Sequence, residues 1–382
     1  MKIAIDNEWY DLQKWAQSHP GGENILKAFA GQDATEHFYS LHSRAAIRKL
    51  KAMRPVQLNV EAPARDPVDV AFATFKAKLE RDGWYVRDPM QEAFLLVMVL
   101  GWVLSGTYLS NSYPIMATFL IAMGMQQAGW LGHDMVHARN SAYCDRAQRF
   151  VAGWIGGFNR NWWSDKHNTH HVLTNHIEFD TDVHNEPLIF NFRPKAEEDS
   201  LLRPYQALYF LPLYCFLYVA WRVHSIKWAV CDRDWHMLVF TLLPSYVWLA
   251  CLPLAVSIGS VLLSGFFVAI VVTLSHESEE MWSVGEREPC FVKNQFASTA
   301  DVVCPDIVSE YFFGGMQYQL VHHLFPTLPR YRYAALVPLV AKFAKENGLA
   351  YKQAGIVPMY KKHVKTLRAN AVVPPIATSR RP

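Results

Sequence analysis

Three histidines in one short segment, His167, His170 and His171, have the spacing of metal ligands on a helix. Positions i, i+3 and i+4 of a helix share one face, so the three imidazoles are expected to converge on a single point. Neutral imidazole is the usual nitrogen ligand for iron, zinc or copper in proteins. The sequence HNTHH therefore predicts a metal site on a helix.

Two further sets of residues repeat this pattern, His133 with His137 upstream and Gln319 with His322 and His323 downstream. Any one pair could be a surface or core histidine, but three spaced sets in a chain with 16 histidines favour a shared site. A zinc protease would need Glu after the first histidine of HDMVH as its base, whereas Asp134 stands there. The protease interpretation is therefore disfavoured.

Charged residues are absent from two long stretches, 93–132 and 237–275, although the rest of the chain is ordinarily charged. Each stretch is about twice the ~20 residues that one helix needs to cross a bilayer. The sequence thus predicts a mainly α integral membrane protein with four transmembrane helices in two hairpins. The 13 Trp suit anchoring at the membrane interface. A net charge of +3, without Lys and Arg interleaved with aromatics, argues against a nucleic-acid partner.

The predicted topology places all three histidine sets on one side of the membrane. Met1 to Trp15 is charged and has no signal-peptide core, so we expect a cytosolic N-terminus. The hairpins should break at 111–114 and between Pro253 and Gly259, which returns His133 and His276 to the cytosolic edge. His276 is therefore a further candidate ligand. Tyr205–Trp221 must then be an interfacial helix, because a crossing there would separate the third set from the others.

Other features support a reduced, cytosolic environment. The six cysteines have no paired spacing and are expected to be reduced thiols. The basic residues of the tail follow the positive-inside tendency; they are Lys361, Lys362, Lys365 and Arg368. Tyr333–Glu346 is predicted to be a helix that ends at Gly348.

The N-terminal segment suggests a second cofactor. Ile3 to Leu12 reads as a strand and turn, with the turn at Asp6-Asn7. His19 stands in the tight turn HPGG, and His42 follows helical sequence, so the two histidines could hold a haem iron from opposite faces. His37 is expected at the surface. Residues 53–67 form a Pro-containing linker, and the periodicity of 68–83 predicts an amphipathic helix on the membrane or on the histidine-rich cap.

The donor set favours two metals. Eight histidines are too many for one mononuclear centre, and a nitrogen-rich shell without thiols suits two irons with positions open for oxygen. A haem domain would supply electrons one at a time. The nearby acids Asp165, Asp180 and Asp182 are either acceptors that orient the imidazoles or solvated loop residues. Four aromatic residues either line an apolar tunnel or simply pack in the core; they are Trp162, Trp163, Phe312 and Phe313.

The motifs resemble two known families. Residues 3–50, with Trp9-Tyr10-Asp11, HPGG, Gly31 to Thr35 and His42-Ser43, resemble a cytochrome b5 domain that begins late. That resemblance implies haem b held by His19 and His42. HDMVH, HNTHH and QLVHH, with Asn161-Trp162-Trp163 and Leu324-Phe325-Pro326, resemble a front-end fatty acid desaturase, with Gln319 marking this branch. The implied ligands of two non-haem irons are His133, His137, His167, His170, His171, His276, His322 and His323.

The resemblance also implies the layout and the activity. We expect a small α+β haem domain at 1–52, a linker at 53–67 and a desaturase domain at 68–382 with a cytosolic, histidine-rich helical cap. The expected reaction is oxygen-dependent insertion of a double bond into a long-chain, polyunsaturated acyl group carried on coenzyme A, a phospholipid or a sphingolipid. An NADH-dependent cytochrome b5 reductase would supply electrons, at the endoplasmic reticulum membrane. A sphingoid-base desaturase, a lipid hydroxylase and a non-catalytic haem carrier remain alternatives.

Overall fold

The computed structural model describes residues 1–19, 21–138, 142–183, 185, 188–189, 200–283 and 290–372. Pro20 of the HPGG turn and the end of the basic tail, 373–382, lie outside the described residues. The described chain is mostly helical, with a small α+β domain at the N-terminus followed by a larger helical domain.

The N-terminal domain begins with the predicted hairpin. Strand β1 (Lys2–Ile5) pairs antiparallel with β2 (Glu8–Asp11), and Asp6 and Asn7 turn the chain with φ of 54° and 64°. A 3-10 turn and three helices follow; they are Ala16–Ser18, α1 (Glu23–Ala28), α2 (Thr35–Leu41) and α3 (Arg44–Ala52). The two predicted haem ligands flank this helical part, His19 before α1 and His42 after α2.

Residues 54–66 have no regular secondary structure and run along strand β2. The amide of Val56 donates to the carbonyl of Trp9, and the Trp9 indole donates to the carbonyl of Val60. Helix α4 (Pro67–Arg81) then begins at Asp66, whose carboxylate accepts from the amide of Val68. Its buried face packs on the histidine-rich cap. Of the two positions predicted for this helix, on the membrane or on the cap, the structure shows the one on the cap.

The first apolar stretch forms two antiparallel helices, α5 (Pro89–Leu109) and α6 (Pro114–His137), with the break where it was predicted. The helices approach closely at glycines. A Cβ added to Gly106 would lie 2.6 Å from Ile121 Cγ1, and one added to Gly124 would lie 2.6 Å from Val103 Cγ2. Small residues at such crossings are typical of membrane helix pairs.

The second apolar stretch forms α11 (Trp235–Met237), a π-helical turn (Leu238–Leu242), α12 (Leu243–Ala250) and α13 (Leu254–His276). Its break lies at residues 251–253, so the prediction that placed it between Pro253 and Gly259 was wrong. Pro253 precedes the first turn of α13, where proline costs no hydrogen bond. Gly259 lies inside the helix, where its missing side chain lets Thr118 approach.

Within the described part of the chain, two helices are long and apolar enough to cross a membrane, α5 and α13, and Trp235–Ala250 is a shorter apolar segment. Only 22% of the apolar window of α5 is buried within the structure. Phe94, Val97 and Leu104 are more than half exposed. A contiguous apolar surface of this kind needs a non-aqueous neighbour.

The segments between the hairpins are α7 (Ala142–Gln148), a π-helical stretch (Arg149–Ile155), α8 (Arg160–Val172), a 3-10 turn (Arg203–Tyr205), α9 (Gln206–Tyr214) and α10 (Leu217–Cys231). The predicted single helix at 205–221 is therefore two helices, and the second continues ten residues further. Arg222 of α10 is buried, with its guanidinium 5.6 Å from the Phe158 ring and 5.7 Å from the Tyr218 ring.

The C-terminal part closes over the ends of the hairpins. It consists of α14 (Phe291–Ser298), β3 (Asp301–Val303), α15 (Ile307–Phe313), α16 (Gln319–Leu324), a 3-10 turn (Arg330–Arg332), α17 (Tyr333–Glu346), β4 (Gln353–Gly355) and α18 (Ile356–Ala369). The prediction of a helix at Tyr333–Glu346 is confirmed. Strands β3 and β4 form a short parallel pair that the sequence did not predict.

Candidate metal centre and haem site

The eight histidines singled out from the sequence meet in the buried space where α6, α8, α13 and α16 end or begin. They form two groups. Within each group, the nitrogens that could bind a metal all lie within 4.8 Å of one another. The first group is His133, His137, His167, His171 and His322, and the second is His170, His276 and His323. All eight side chains are buried.

The histidines of α8 do not converge on a single point, and this part of the sequence prediction was wrong. His167 and His171 belong to the first group, whereas His170 belongs to the second. One helical face is wide enough for its residues to diverge, because i+3 and i+4 lie on opposite sides of the position directly above residue i. A single turn of α8 thus contributes to both groups.

Two of the three predicted carboxylates orient ligand imidazoles. His167 Nδ1 donates to Asp182 Oδ2 at 2.9 Å, and His170 Nδ1 donates to Asp180 Oδ2 at 2.8 Å. Because Nδ1 donates this hydrogen bond, the lone pair of Nε2 remains available to bind a metal, and the plane of the ring is fixed. Asp165 has another position, with its carboxylate oriented towards Gly22 of the N-terminal domain.

Three further partners of the histidines carried no signal in the sequence. His323 Nδ1 lies 2.9 Å from Gln295 Oε1, and His322 Nδ1 lies 3.0 Å from the Tyr333 hydroxyl. The backbone carbonyl of Ser298 accepts from His276 Nδ1 at 3.1 Å. These contacts come from α14 and α17, which are distant in sequence from the ligands they orient, so spacing could not reveal them.

Gln319 lies beside the second group. Its side-chain Nε2 is 3.1 Å from His276 Nε2, the nitrogen that would bind a metal. The side chain is buried. Gln319 is thus placed to supply an amide ligand or a hydrogen bond next to the three-histidine group.

Asp134, inside HDMVH, has a structural partner. Arg87 NH2 is 3.0 Å from Asp134 Oδ1, and Arg87 NH1 is 2.6 Å from Glu92 Oε1. The backbone amide of Arg330 also donates to Asp134 Oδ1. Asp134 therefore ties the end of α6 to the start of α5 and to the segment after QLVHH. Breaking a buried ion pair of this kind is costly.

The donor set fits a transition metal such as iron. Burial lowers the pKa of His167, His171, His322 and His323 well below the usual histidine value, which keeps the imidazoles neutral. Within the described residues, Nε2 of His322 and of His323 is buried without a hydrogen-bond partner. Orphaned buried nitrogens are costly unless a metal accepts their lone pairs.

The outer carboxylates make a testable contribution. We expect Asp180→Ala to lower iron affinity and turnover by about 10–100-fold, because His170 loses the acceptor that orients it. Iron retained per chain against a competing chelator measures the first effect, and product formed per minute measures the second. Asp232→Ala, an exposed residue after α10, is the matched control. Equal iron retention in the two variants would contradict a role of Asp180 at the metal.

The N-terminal domain has a second histidine pair with the geometry of a haem site. The rings of His19 and His42 face each other with centroids 6.0 Å apart and planes at 32°. His19 Nδ1 is bonded to the Gly22 carbonyl and His42 Nδ1 to the Phe38 carbonyl, so each ring would present Nε2 to an iron between them. The residues present fit a haem with two histidine ligands.

His37 is not at the surface, and that prediction was wrong. Its side chain is buried, between Phe29 of the N-terminal domain at 4.5 Å and Phe291 of helix α14 at 5.0 Å. The motif gave no reason to expect burial, because the partner ring comes from the other domain.

A cavity of about 410 Å³ leads to both histidine groups. Trp162 and Trp163 line it, as the sequence suggested. Phe312 and Phe313 pack in the core beside it instead. The wall away from the histidines is largely apolar and includes Leu213, Leu217, Tyr218, Val268 and Val272. An acyl chain fits such a lining because burial of its methylenes is favourable.

Comparison with known families agrees with this architecture. The fatty acid desaturase family matches residues 110–355, and the cytochrome b5-like haem/steroid binding domain matches residues 1–59. The chain therefore belongs to the fatty acid desaturase family and carries a cytochrome b5-like domain at its N-terminus. It is an oxidoreductase, and membership of this family disfavours the non-catalytic haem carrier.

Several curated relatives are similar to this chain over most of their length. An acyl-lipid 8-desaturase of Rebecca salina is 29% identical over 96% of this chain and 91% of its own length. A delta(6)-fatty-acid desaturase of Caenorhabditis elegans is 29% identical over 92% of each chain. A delta(8)-fatty-acid desaturase of Euglena gracilis is 29% identical over 92% of this chain and 90% of its own length.

Proposed function

We propose that this protein inserts a double bond between an existing double bond and the carboxyl end of a long-chain, polyunsaturated acyl lipid. The reaction would use molecular oxygen and electrons that pass through the protein's own haem domain. The observation that carries the proposal is the pair of buried histidine groups, members of both of which line a largely apolar cavity. The names of the relatives include 6- and 8-desaturases. These names favour a new double bond on the carboxyl side of an existing one.

Two irons would be held by the two histidine groups, one by His133, His137, His167, His171 and His322 and the other by His170, His276 and His323, with Gln319 beside the second. With oxygen and two electrons, such a pair supplies an oxidant able to remove hydrogen from an unactivated methylene. The protein's own residues would position that methylene. The cavity reaches His133, His167, His170 and His276, so a chain lying in it would pass both groups.

The aromatic side chains of the cavity would restrict the path of the substrate. Trp163 packs against His167 with ring centroids 4.2 Å apart, and Trp162 contacts Trp221 at 6.3 Å. Rigid rings next to the histidines would narrow the course open to an acyl chain and would keep bulk water from the histidines. The position of the new bond would then follow from how far the chain can enter.

We infer that the hairpins α5–α6 and 235–276 cross the endoplasmic reticulum membrane, with the haem domain and the histidines on the cytosolic side. The exposed apolar surface of α5 and the hydropathy of α13 support this arrangement. The haem domain lies on the same side of the helices as the histidines. It would receive electrons there from an NADH-dependent cytochrome b5 reductase.

The function can be tested by expression in a yeast that is fed defined polyunsaturated fatty acids, followed by mass spectrometry of the products. We expect a new double bond on the carboxyl side of an existing one. A hydroxylated product without a new double bond would identify a hydroxylase, and desaturated sphingoid bases would identify the other alternative. Fractionation of the lipids would show whether the acyl group is carried on coenzyme A, a phospholipid or a sphingolipid.

The cavity wall gives a prediction about chain length. Gly129 of α6 faces Tyr218 of α10, and a Cβ added to Gly129 would lie 2.7 Å from the Tyr218 hydroxyl, in too close a contact. Because both residues line the cavity, we expect Gly129→Ala to narrow it and to shift the products towards shorter acyl chains.

The measurement is the ratio of products from a mixture of substrates that differ in length. Gly101→Ala, in the same hairpin, is the control because an added Cβ there would meet nothing within 4 Å. A product ratio that is the same in Gly129→Ala and wild type would show that this constriction does not set chain length.

A further inference from the structure

Two residues of the desaturase domain belong to the hydrophobic core of the haem domain. Val172 and Leu173 are 7% and 1% exposed and pack in one cluster with apolar residues of the N-terminal domain. Phe179 packs against the same cluster. The residues of the N-terminal domain that pack in this cluster include Ile3, Leu12, Ala16, Ile25, Leu26 and Phe29. The haem domain therefore does not hang freely on its linker.

Val172 and Leu173 directly follow the histidines of HNTHH. Helix α8 ends at Val172, and the amide of Leu173 closes its last turn by donating to the Thr169 carbonyl. His171 and His170, one and two residues before Val172, belong to the first and the second histidine group respectively. The last turn of α8 therefore contacts the haem domain on one side and holds metal ligands on the other.

A second contact involves the turn of a haem ligand. Gly22 follows His19 by three residues, and its carbonyl accepts the hydrogen bond from His19 Nδ1. A Cβ added to Gly22 would lie 3.8 Å from Asp165 Oδ1 of α8. The backbone that orients the haem ligand thus lies against the first half of the helix that carries HNTHH.

A third set of contacts holds the domain on its other side. His37 is enclosed between Phe29 and Phe291. Lys76 of α4 donates from Nζ to the Tyr39 carbonyl at 2.8 Å, and Arg65 forms an ion pair with Glu36. Polar and aromatic contacts on one side and an apolar cluster on the other fix both the position and the rotation of a small domain.

We propose that this interface is the electron-entry surface of the enzyme, an inference that rests on the function proposed above. The haem domain is docked for transfer, and the last turn of α8 connects Val172 and Leu173, which pack in the core of that domain, directly to His170 and His171 of the histidine groups. In this transfer a ferrous haem held by His19 and His42 would give one electron and become ferric, and one ferric ion held by the histidine groups would become ferrous. Two such transfers, with the reductase restoring the haem each time, supply the two electrons of one turnover.

His37 and Lys76 are positioning residues in this proposal, because the ring contact of His37 with Phe291 and the hydrogen bond of Lys76 to the Tyr39 carbonyl hold the domain in place. The test uses the full-length enzyme with both residues changed, His37→Ala with Lys76→Met. The matched control is His236→Ala with Lys78→Met, since both of those side chains are exposed and Lys78 is on the same helix as Lys76.

Two measurements report docking and electron transfer separately. Hydrogen exchange of the backbone at 172–179 reports whether the domains remain in contact. Stopped-flow absorbance reports the rate at which reduced haem is reoxidised when oxygen and acyl substrate are added. In the double variant we expect faster exchange at 172–179 and haem reoxidation slowed by about tenfold or more, because transfer depends on geometry. The haem spectrum and the rate of haem reduction by the reductase should match those of the control.

Chemical reduction separates a docking defect from a damaged metal centre. When dithionite has reduced both the haem and the metal centre beforehand, the double variant should give the same single-turnover yield as the wild type. A low yield in that experiment would assign the defect to the metal site and overturn the proposal. Haem reoxidation at the wild-type rate would also overturn it, whether exchange at 172–179 rises or stays unchanged. If the wild-type enzyme itself makes no double bond from any substrate, the proposed function fails instead.

Discussion

Replacing His170 with alanine is expected to abolish formation of the double bond while leaving the haem spectrum intact. His170 belongs to the three-histidine group, where the loss of one ligand leaves two histidines and Gln319 for a metal. The reduction in product should exceed the about 10–100-fold that is typical of losing an outer partner. Mass spectrometry of lipids from the yeast host measures the product, and absorbance of the purified protein measures the haem.

Metal analysis of the same samples gives an independent result. A wild-type chain with a haem and two further metal ions should contain about three irons, and His170→Ala should contain about two or fewer, since ligand loss weakens binding. His236→Ala, an exposed histidine of α11, is the control and should match the wild type in iron and product. Full activity in His170→Ala would refute its assignment as a ligand.

Replacing His42 with alanine is expected to remove the haem and, with it, the reductase-dependent product. Its ring faces that of His19, with the ring centroids 6.0 Å apart. The substitution would therefore leave a haem iron with a histidine ligand on one side only. The characteristic haem absorbance should fall to background, and the iron content should fall by about one per chain while the histidine groups keep theirs. Product made with NADH and reductase should fall with the haem.

The two variants should differ when electrons are supplied chemically. After reduction with dithionite, His42→Ala should form product in a single turnover, because its metal centre is complete. His170→Ala should not. Single-turnover product from both variants, or from neither, would contradict the division of roles between the haem domain and the histidine groups.

The spacing of residues along the chain was sufficient to find the histidine sets that come together but not to divide them between the two groups. HDMVH, HNTHH and QLVHH stood out because i, i+3 and i+4 positions share a helical face, and the structure does bring them together. The same rule predicted that His167, His170 and His171 converge, whereas they are divided between two groups. Which neighbouring histidine each ring meets depends on helices from elsewhere in the chain.

The burial of one polar residue was predicted wrongly. His37 was expected at the surface because nothing nearby in sequence required it inside, yet Phe291 of α14 covers it. Phe291 is distant from His37 in sequence, so local patterning could not report this contact.

The sequence by itself determined the apolar hairpins, the histidine sets, the haem-ligand pair and the family they resemble, because each depends on composition or on short-range periodicity. Only the tertiary structure decided the two-group division of the histidines and the acceptors Gln295 and Tyr333. It alone placed Val172 and Leu173 in the core of the haem domain. These features depend on contacts between segments that are far apart in the chain, which packing creates and local sequence does not encode.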